Sequence, residues 1–228
     1  MTQTWTVAER MPIRLAVREA WAGKTLSRTL MNCEIRRRVR LQPGRVLDIG
    51  AGDRPSYWRF LDKPDGVVTI DIDTSARPSV VSSLERGLPL ASETFHTALA
   101  FNVFEHIYAG PQLAGDVLRV LAPGGRLFCS VPFLVPIHAD PYDFFRYTGW
   151  ALSNLFTEAG FTGVRVTAYG GYFAALAEHL NRFNNVPPFR SAVVLGCLLA
   201  ERVLDRFAGG SRNAGRFVLG YFVEAVKP

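Results

Sequence analysis

The segment Val46-Leu47-Asp48-Ile49-Gly50-Ala51-Gly52-Asp53 constrains this chain most, because an apolar strand runs directly into a turn carrying two glycines. Glycine is needed where the backbone takes positive φ or where a ligand lies against it. A helix following such a turn faces the ligand with free N–H groups, and a short one is expected from Pro55 to Leu61. A second element arrives about 20 residues later, the distance at which nucleotide-binding sheets carry an acid for ribose. There Thr69-Ile70-Asp71-Ile72-Asp73 puts Asp71 at the tip of a second strand, placed to accept both ribose hydroxyls. Asp71 can also serve as an Asx turn or helix cap. The pair supports a nucleoside ligand. A dinucleotide fits less well, because Pro55 stands where the third glycine of the pyrophosphate fingerprint belongs. Asp48, inside the strand, would also repel pyrophosphate while suiting a cationic amino acid group.

Around this segment the pattern alternates between strands and helices, the mark of a parallel sheet with helices on both faces. Strands are expected at Arg45–Ile49, Val67–Ile72, Thr97–Asn102, Arg126–Val131, Phe161–Tyr169 and Phe217–Val226. Helices are expected at Gln112–Leu121, stopped by Ala122-Pro123-Gly124-Gly125, and at Trp150–Ala159, closed by Gly160. Residues 8–40 read as helical with a break at Gly23, and a helical insertion from about 171 to 208 precedes the last strand. This divides the chain into a basic helical extension, 1–44, and one α/β domain, 45–228.

The 26 Lys and Arg against 20 acids give a net charge of +6, but the excess is local. Residues 1–45 hold ten basic residues and three acids, sharpest at Arg36-Arg37-Arg38-Val39-Arg40, and the remainder is close to neutral. That arm is either a phosphate-attracting surface, for lipid or nucleic acid, or a solvated helix face. The body does not read as a nucleic-acid groove. Three separated cysteines, Cys33, Cys129 and Cys197, form no disulfide framework and no zinc pair, so a reducing cytoplasm is expected. The apolar run Ala192 to Ala200 is too short to span a bilayer. It is expected to bury against the domain or a homodimer partner, or to touch the inner face of the membrane peripherally.

Four ordered stretches resemble the class I S-adenosylmethionine-dependent methyltransferases of the type 11-like group: Val46–Asp53, Thr69–Asp73, Leu88-Pro89-Leu90 with Phe95–His106, and Leu118–Leu127. The resemblance implies a doubly wound, mostly parallel seven-stranded sheet with S-adenosylmethionine at the carboxyl ends of its strands. It assigns Asp48, Gly50, Ala51 and Gly52 to the methionine side and Asp71 to the ribose. Ile72 would pack on adenine, and Asn102 and Val103 would line the methyl-donor side. The acid that often meets the adenine amino group would fall near Ser83, so Ser83 and Leu84 are expected there, with Glu85 as a substitute. His96 stands where the family usually has an aspartate.

Pro136-Ile137-His138-Ala139-Asp140-Pro141-Tyr142-Asp143-Phe144-Phe145-Arg146-Tyr147-Thr148 follows the fifth strand of that pattern, at the rim of the crevice. It is similar to a stretch in bacterial methyltransferases, several associated with cell-envelope glycans, and its polar and aromatic residues suit a small-molecule or glycan hydroxyl acceptor. His138 is a candidate general base, Asp143 or Asp140 its orienting acid, and Arg146 a holder of an anionic group. Asp143 and Arg146 can equally form a structural ion pair. His138, Asp140 and Asp143 have the chemistry of metal ligands, but no metal is expected. His106 reads as packing at a helix base. The expected activity is O-methylation; RNA methylation and cofactor binding without catalysis are the alternatives.

Overall fold

The computed structural model describes residues 5–53, 55–62, 64, 66–183, 185–207 and 216–228. Eight strands form one sheet: β1 Trp5–Val7, β2 Val46–Ile49, β3 Val68–Asp71, β4 Val80–Val81, β5 Phe95–Phe101, β6 Leu121–Pro132, β7 Thr162–Tyr169 and β8 Gly220–Val226. Their order is β1-β7-β8-β6-β5-β2-β3-β4. Only β8 runs antiparallel to its neighbours, β6 and β7. The chain steps outward through β2, β3 and β4, then returns to the other side of β2 with β5. That reversal opens a crevice at the carboxyl ends of β2 and β5.

Burial explains why these strands lie in the middle. Every residue of β2 is buried, as in a parallel strand covered on both faces. Along β5, Ala98 and Ala100 face one core, with helices α3 (Gly110–Val120) and α4 (Gly149–Glu158). Leu99 and Phe101 face the other, with α2 (Leu26–Arg38), α5 (Tyr172–Leu180) and α6 (Pro187–Phe207).

The sheet has eight strands where seven were expected. The extra one is β1, in which Trp5 pairs with Val166 and packs edge-on against Trp150 at 4.3 Å. With α1 (Ile13–Trp21) and α2, it makes residues 5–38 part of the sheet's edge and cover. The helical break falls at residues 22–25, and Thr25 caps α2. The buried Glu178 of α5 also accepts from the first amides of α2, Leu26 at 2.7 Å and Ser27 at 3.2 Å. The insertion is α5 and α6; Asn184 and its expected end at residue 208 lie outside the described residues.

Two boundaries differ for physical reasons. β6 begins at Leu121 because Phe95 pairs with it before a register shift to Thr97 and Arg126. The helix expected over Pro55–Leu61 is one 3-10 turn, Ser56–Arg59. Tyr57 and Trp58 of that turn both donate to the buried Asp48.

Candidate active site

The glycine turn after β2 is held by its neighbours. Gly50 takes φ +63° and donates its N–H to the Ile70 carbonyl at 2.8 Å. A Cβ there would stand 2.7 Å from Val103 Cγ2, so only glycine fits between β2 and the end of β5. Gly52 takes the same φ, but a Cβ there would meet nothing within 4 Å; it forms an open lip. Asp71 faces that lip, with one carboxylate oxygen accepting from Gly52 N–H and the other from Asp73 N–H, both at 2.9 Å. Each oxygen keeps a second acceptor site for a ribose hydroxyl. Beside it Ile72 is 68% exposed, an uncovered apolar side chain where a base can lie. The Asp71 carbonyl accepts from Ser82 N–H, bringing Ser83 and Leu84 alongside; the Leu84 side chain itself turns into the core. Ala51 is nearly buried within the turn. Asn102 leaves β5 at φ +57°, and its buried Oδ1 has no hydrogen-bond partner among the described residues.

The lip, Asp71 and Ile72 stand together where the resemblance expects the nucleoside of S-adenosylmethionine, and three expectations there are corrected. Asp48 does not face the crevice: it is fully buried and accepts from Tyr57 Oη at 2.6 Å and Trp58 Nε1 at 2.9 Å. It orders the turn from behind. The α-helix expected to aim N–H groups at the ligand is replaced by the 3-10 turn. Glu85, the substitute considered for adenine, is also taken, accepting from the amides of Tyr108 and Ala109 at the start of α3.

On the acceptor side, the loop after β6 is tied to the end of β5 by its backbone. Phe144 and Phe145 donate their N–H groups to the Glu105 carbonyl at 2.9 and 3.2 Å. The tie brings His138 to Glu105 and His106. His138 donates its backbone N–H to Asp143 Oδ2 at 2.9 Å, and its Nδ1 lies 3.3 Å from the same oxygen. Asp143, not the exposed Asp140, is therefore the acid that orients it. Arg146 grips Asp143 with both terminal nitrogens, one at 2.6 Å, and also donates to the Phe145 and Pro136 carbonyls. That guanidinium holds the Asp143 carboxyl well below the usual carboxylate range. So occupied, Arg146 braces the loop.

Glu105 is the residue that sequence reasoning missed. Its side chain is fully buried, and neither carboxyl oxygen has a hydrogen-bond partner among the described residues. Burial pushes its carboxyl up to about 8. His106 Nε2 and His138 Nε2 approach its Oε1 at 3.5 and 3.8 Å, with the two rings 4.9 Å apart. The available signal was an acid inside the apolar run Val103-Phe104-Glu105-His106-Ile107, just beyond a sheet strand.

Residues 27–166 match the family model described as a methyltransferase domain. The chain belongs to that methyltransferase family. The class I S-adenosylmethionine methyltransferase expected from the sequence is the family found. No curated protein matches this methyltransferase by sequence. Its fold is similar to Haemonchus contortus phosphoethanolamine N-methyltransferase 2, solved with phosphomonomethylethanolamine and S-adenosylhomocysteine. That likeness has TM-score 0.57 at 15% identity, covering 87% of this chain and 52% of that one. The methyltransferase thus spans about half the length of that enzyme. A putative methyltransferase of Haloferax volcanii, solved with its Trm112 activator, is similar over 97% of this chain and 100% of that one (TM-score 0.57, 15% identity). An S-adenosylmethionine-dependent methyltransferase of Archaeoglobus fulgidus is similar over 86% and 93%, with TM-score 0.58 and 15% identity.

Proposed function

We propose that this methyltransferase uses S-adenosylmethionine to methylate a hydroxyl of a small-molecule or glycan-type acceptor. The observation that carries the reading is that the Gly50–Gly52 lip, set against Val103, and Asp71 lie at the same carboxyl ends of parallel β2, β3 and β5 as the Glu105, His106 and His138 cluster. S-adenosylmethionine brings a methyl group already activated on a sulfonium. The chain's part is to bind the nucleoside through Gly52, Asp71, Ile72 and the Ser83–Leu84 backbone and to align an acceptor. Alignment alone supplies much of the acceleration. His138, half-exposed and oriented by Asp143, is the candidate to take the hydroxyl proton.

RNA as acceptor is less well supported. Arg37 and Arg38 of the basic arm are engaged with the buried Glu34, and Arg38 also with the largely buried Glu224. The exposed Leu195, Leu199, Val203 and Leu204 of α6 support contact with a second copy or with the inner membrane face from the cytoplasm. Among the described residues no helix is long and apolar enough to cross a membrane.

The test is calorimetry with S-adenosylmethionine, S-adenosylhomocysteine and NAD, followed by an acceptor screen with methyl-labelled cofactor. Binding of the first two and labelling of a hydroxylated acceptor are expected. Preference for NAD overturns the cofactor assignment, and labelling of RNA alone overturns the acceptor class.

A further inference from the structure

The cluster at the end of β5 brings together more acceptors than donors. His106 Nδ1 lies 2.8 Å from the Tyr142 carbonyl, which can only accept, so that nitrogen carries the proton and Nε2 presents a lone pair. The Nδ1 of His138 likewise faces only acceptors, Asp143 Oδ2 at 3.3 Å and the Pro136 carbonyl at 3.4 Å. Its Nε2 also presents a lone pair. Both nitrogens lie beside Oε1 of Glu105, whose two oxygens are buried and unpartnered among the described residues. The three ligand atoms lie within 4.8 Å of one another.

A single proton would satisfy one of these contacts and leave the others facing each other. A divalent cation satisfies all three. The spacing agrees: two ligands each about 2.1 Å from a tetrahedral ion stand about 3.4 Å apart, and the Nε2 atoms lie 3.5 and 3.8 Å from Glu105 Oε1. Both histidines also carry the outer support that metal-binding imidazoles need, a carbonyl for His106 and a braced carboxylate for His138.

We propose that Glu105, His106 and His138 form a binding site for a divalent transition cation, of which zinc best suits two imidazoles and a carboxylate. This departs from the sequence expectation of no metal and from the His138, Asp140 and Asp143 set weighed there. Three protein ligands leave a coordination position open, as in catalytic rather than structural sites. The role of the ion, though not its binding, rests on the proposed function. An acceptor hydroxyl occupying the open position is acidified and releases its proton to solvent. Its oxygen then forms the new O–C bond as the S–C bond of the cofactor breaks, leaving the electron pair on a neutral thioether. His138 is then a ligand and not the base.

The experiment uses the full chain, freed of metal by a chelator and carrying C33S and C197S so that half-exposed thiols do not compete. Calorimetry with zinc is expected to give one ion per chain. Cobalt is expected to give d–d absorption without a thiolate charge-transfer band. E105Q and H138A each weaken binding about 100-fold or more, and D143N, which touches no metal, about 10–100-fold. Circular dichroism of the metal-free forms checks that each variant folds. Absence of stoichiometric binding by the well-folded parent, or binding unchanged in E105Q and H138A, overturns the site. S-adenosylmethionine titrated separately keeps the two readings apart. Metal bound without cofactor removes the methyltransferase function and leaves the site standing; cofactor bound without metal does the reverse.

Discussion

Tyr57 donates its phenol proton to Asp48 across 2.6 Å, and the bond lies wholly inside the protein behind the glycine turn. A carboxylate in the middle of a buried parallel strand needs such partners, and Trp58 supplies another from the adjacent position. This relationship explains why the first motif can carry an acid that never touches solvent. It also makes the shape of the cofactor lip depend on two aromatic residues outside the motif.

The same bond gives an alkaline signature. Burial, with the Asp48 charge second, raises the Tyr57 phenol well above its ordinary value. An unfolded tyrosine ionises near pH 10. Above that pH the unfolded chain releases a proton that the folded chain keeps, so stability falls as pH rises. Tyr147, pushed up to about 12 by its own burial, acts in the same direction. Unfolding by urea between about pH 9 and pH 11 should therefore show declining stability, with a shallower decline in Y57F. At neutral pH, Y57F should cost about 1–3 kcal/mol, the penalty for weakening the satisfaction of a buried charge. An unchanged pH slope in Y57F would show that the phenol is not held protonated there.

Gly50 should prove irreplaceable for a reason that separates into two parts. Its φ of +63° is costly for alanine, by about 1–2 kcal/mol. The added methyl would also press on Val103 Cγ2. G50A should thus lose about 2–4 kcal/mol in thermal or urea unfolding and weaken S-adenosylmethionine binding. V103A on the same background should recover the steric part but not the backbone part. Strict additivity of the two variants would mean that the close approach carries no energy.

How much of this was legible beforehand varies by element. β2 and β5 announced themselves as largely buried, mostly apolar runs, β3 by its β-branched Val68-Thr69-Ile70, and Gly50 and Asp71 because their chemistry is local to a turn and a strand tip. β1 was not legible, since three residues such as Trp5–Val7 carry no periodicity and gain their strand only from β7. The 3-10 turn after Pro55 escaped because Asp48, to which its Tyr57 and Trp58 donate, sits in another element. Glu105 escaped for a deeper reason. Its role depends on His138, which reaches it only through the backbone tie from Phe144 and Phe145 to the Glu105 carbonyl.

That tie makes the Asp143–Arg146 pair testable as a positioning device. Asp143 is almost wholly buried, while Arg146 keeps about a quarter of its surface. Among the described residues R146A would leave the carboxylate with the His138 contacts alone and should destabilise the chain by about 2–4 kcal/mol, less than a fully buried pair would lose. R146K should recover little, because an ammonium cannot make the two parallel bonds. If the pair were only a surface ornament, both variants would melt with the parent.

Asp71 offers the sharpest test of the cofactor side. Its carboxylate has two tasks, holding Gly52 and Asp73 amides and accepting ribose hydroxyls, and two substitutions separate them. D71N keeps one oxygen acceptor but replaces the other with a donor, so it can neither hold both amides nor accept twice. D71E keeps both acceptors but displaces them by a methylene. Hydrogen bonds to a charged acceptor are worth about 1.5–3 kcal/mol each, so D71N should weaken S-adenosylmethionine binding roughly 10- to 100-fold. D71E should fall between D71N and the parent, since alignment is lost but charge is kept. Melting temperatures measured beside the calorimetry show whether the loss lies in the lip or in the ligand contacts. If D71N binds S-adenosylmethionine as the parent does, the carboxylate serves the turn alone and the ribose must be held elsewhere.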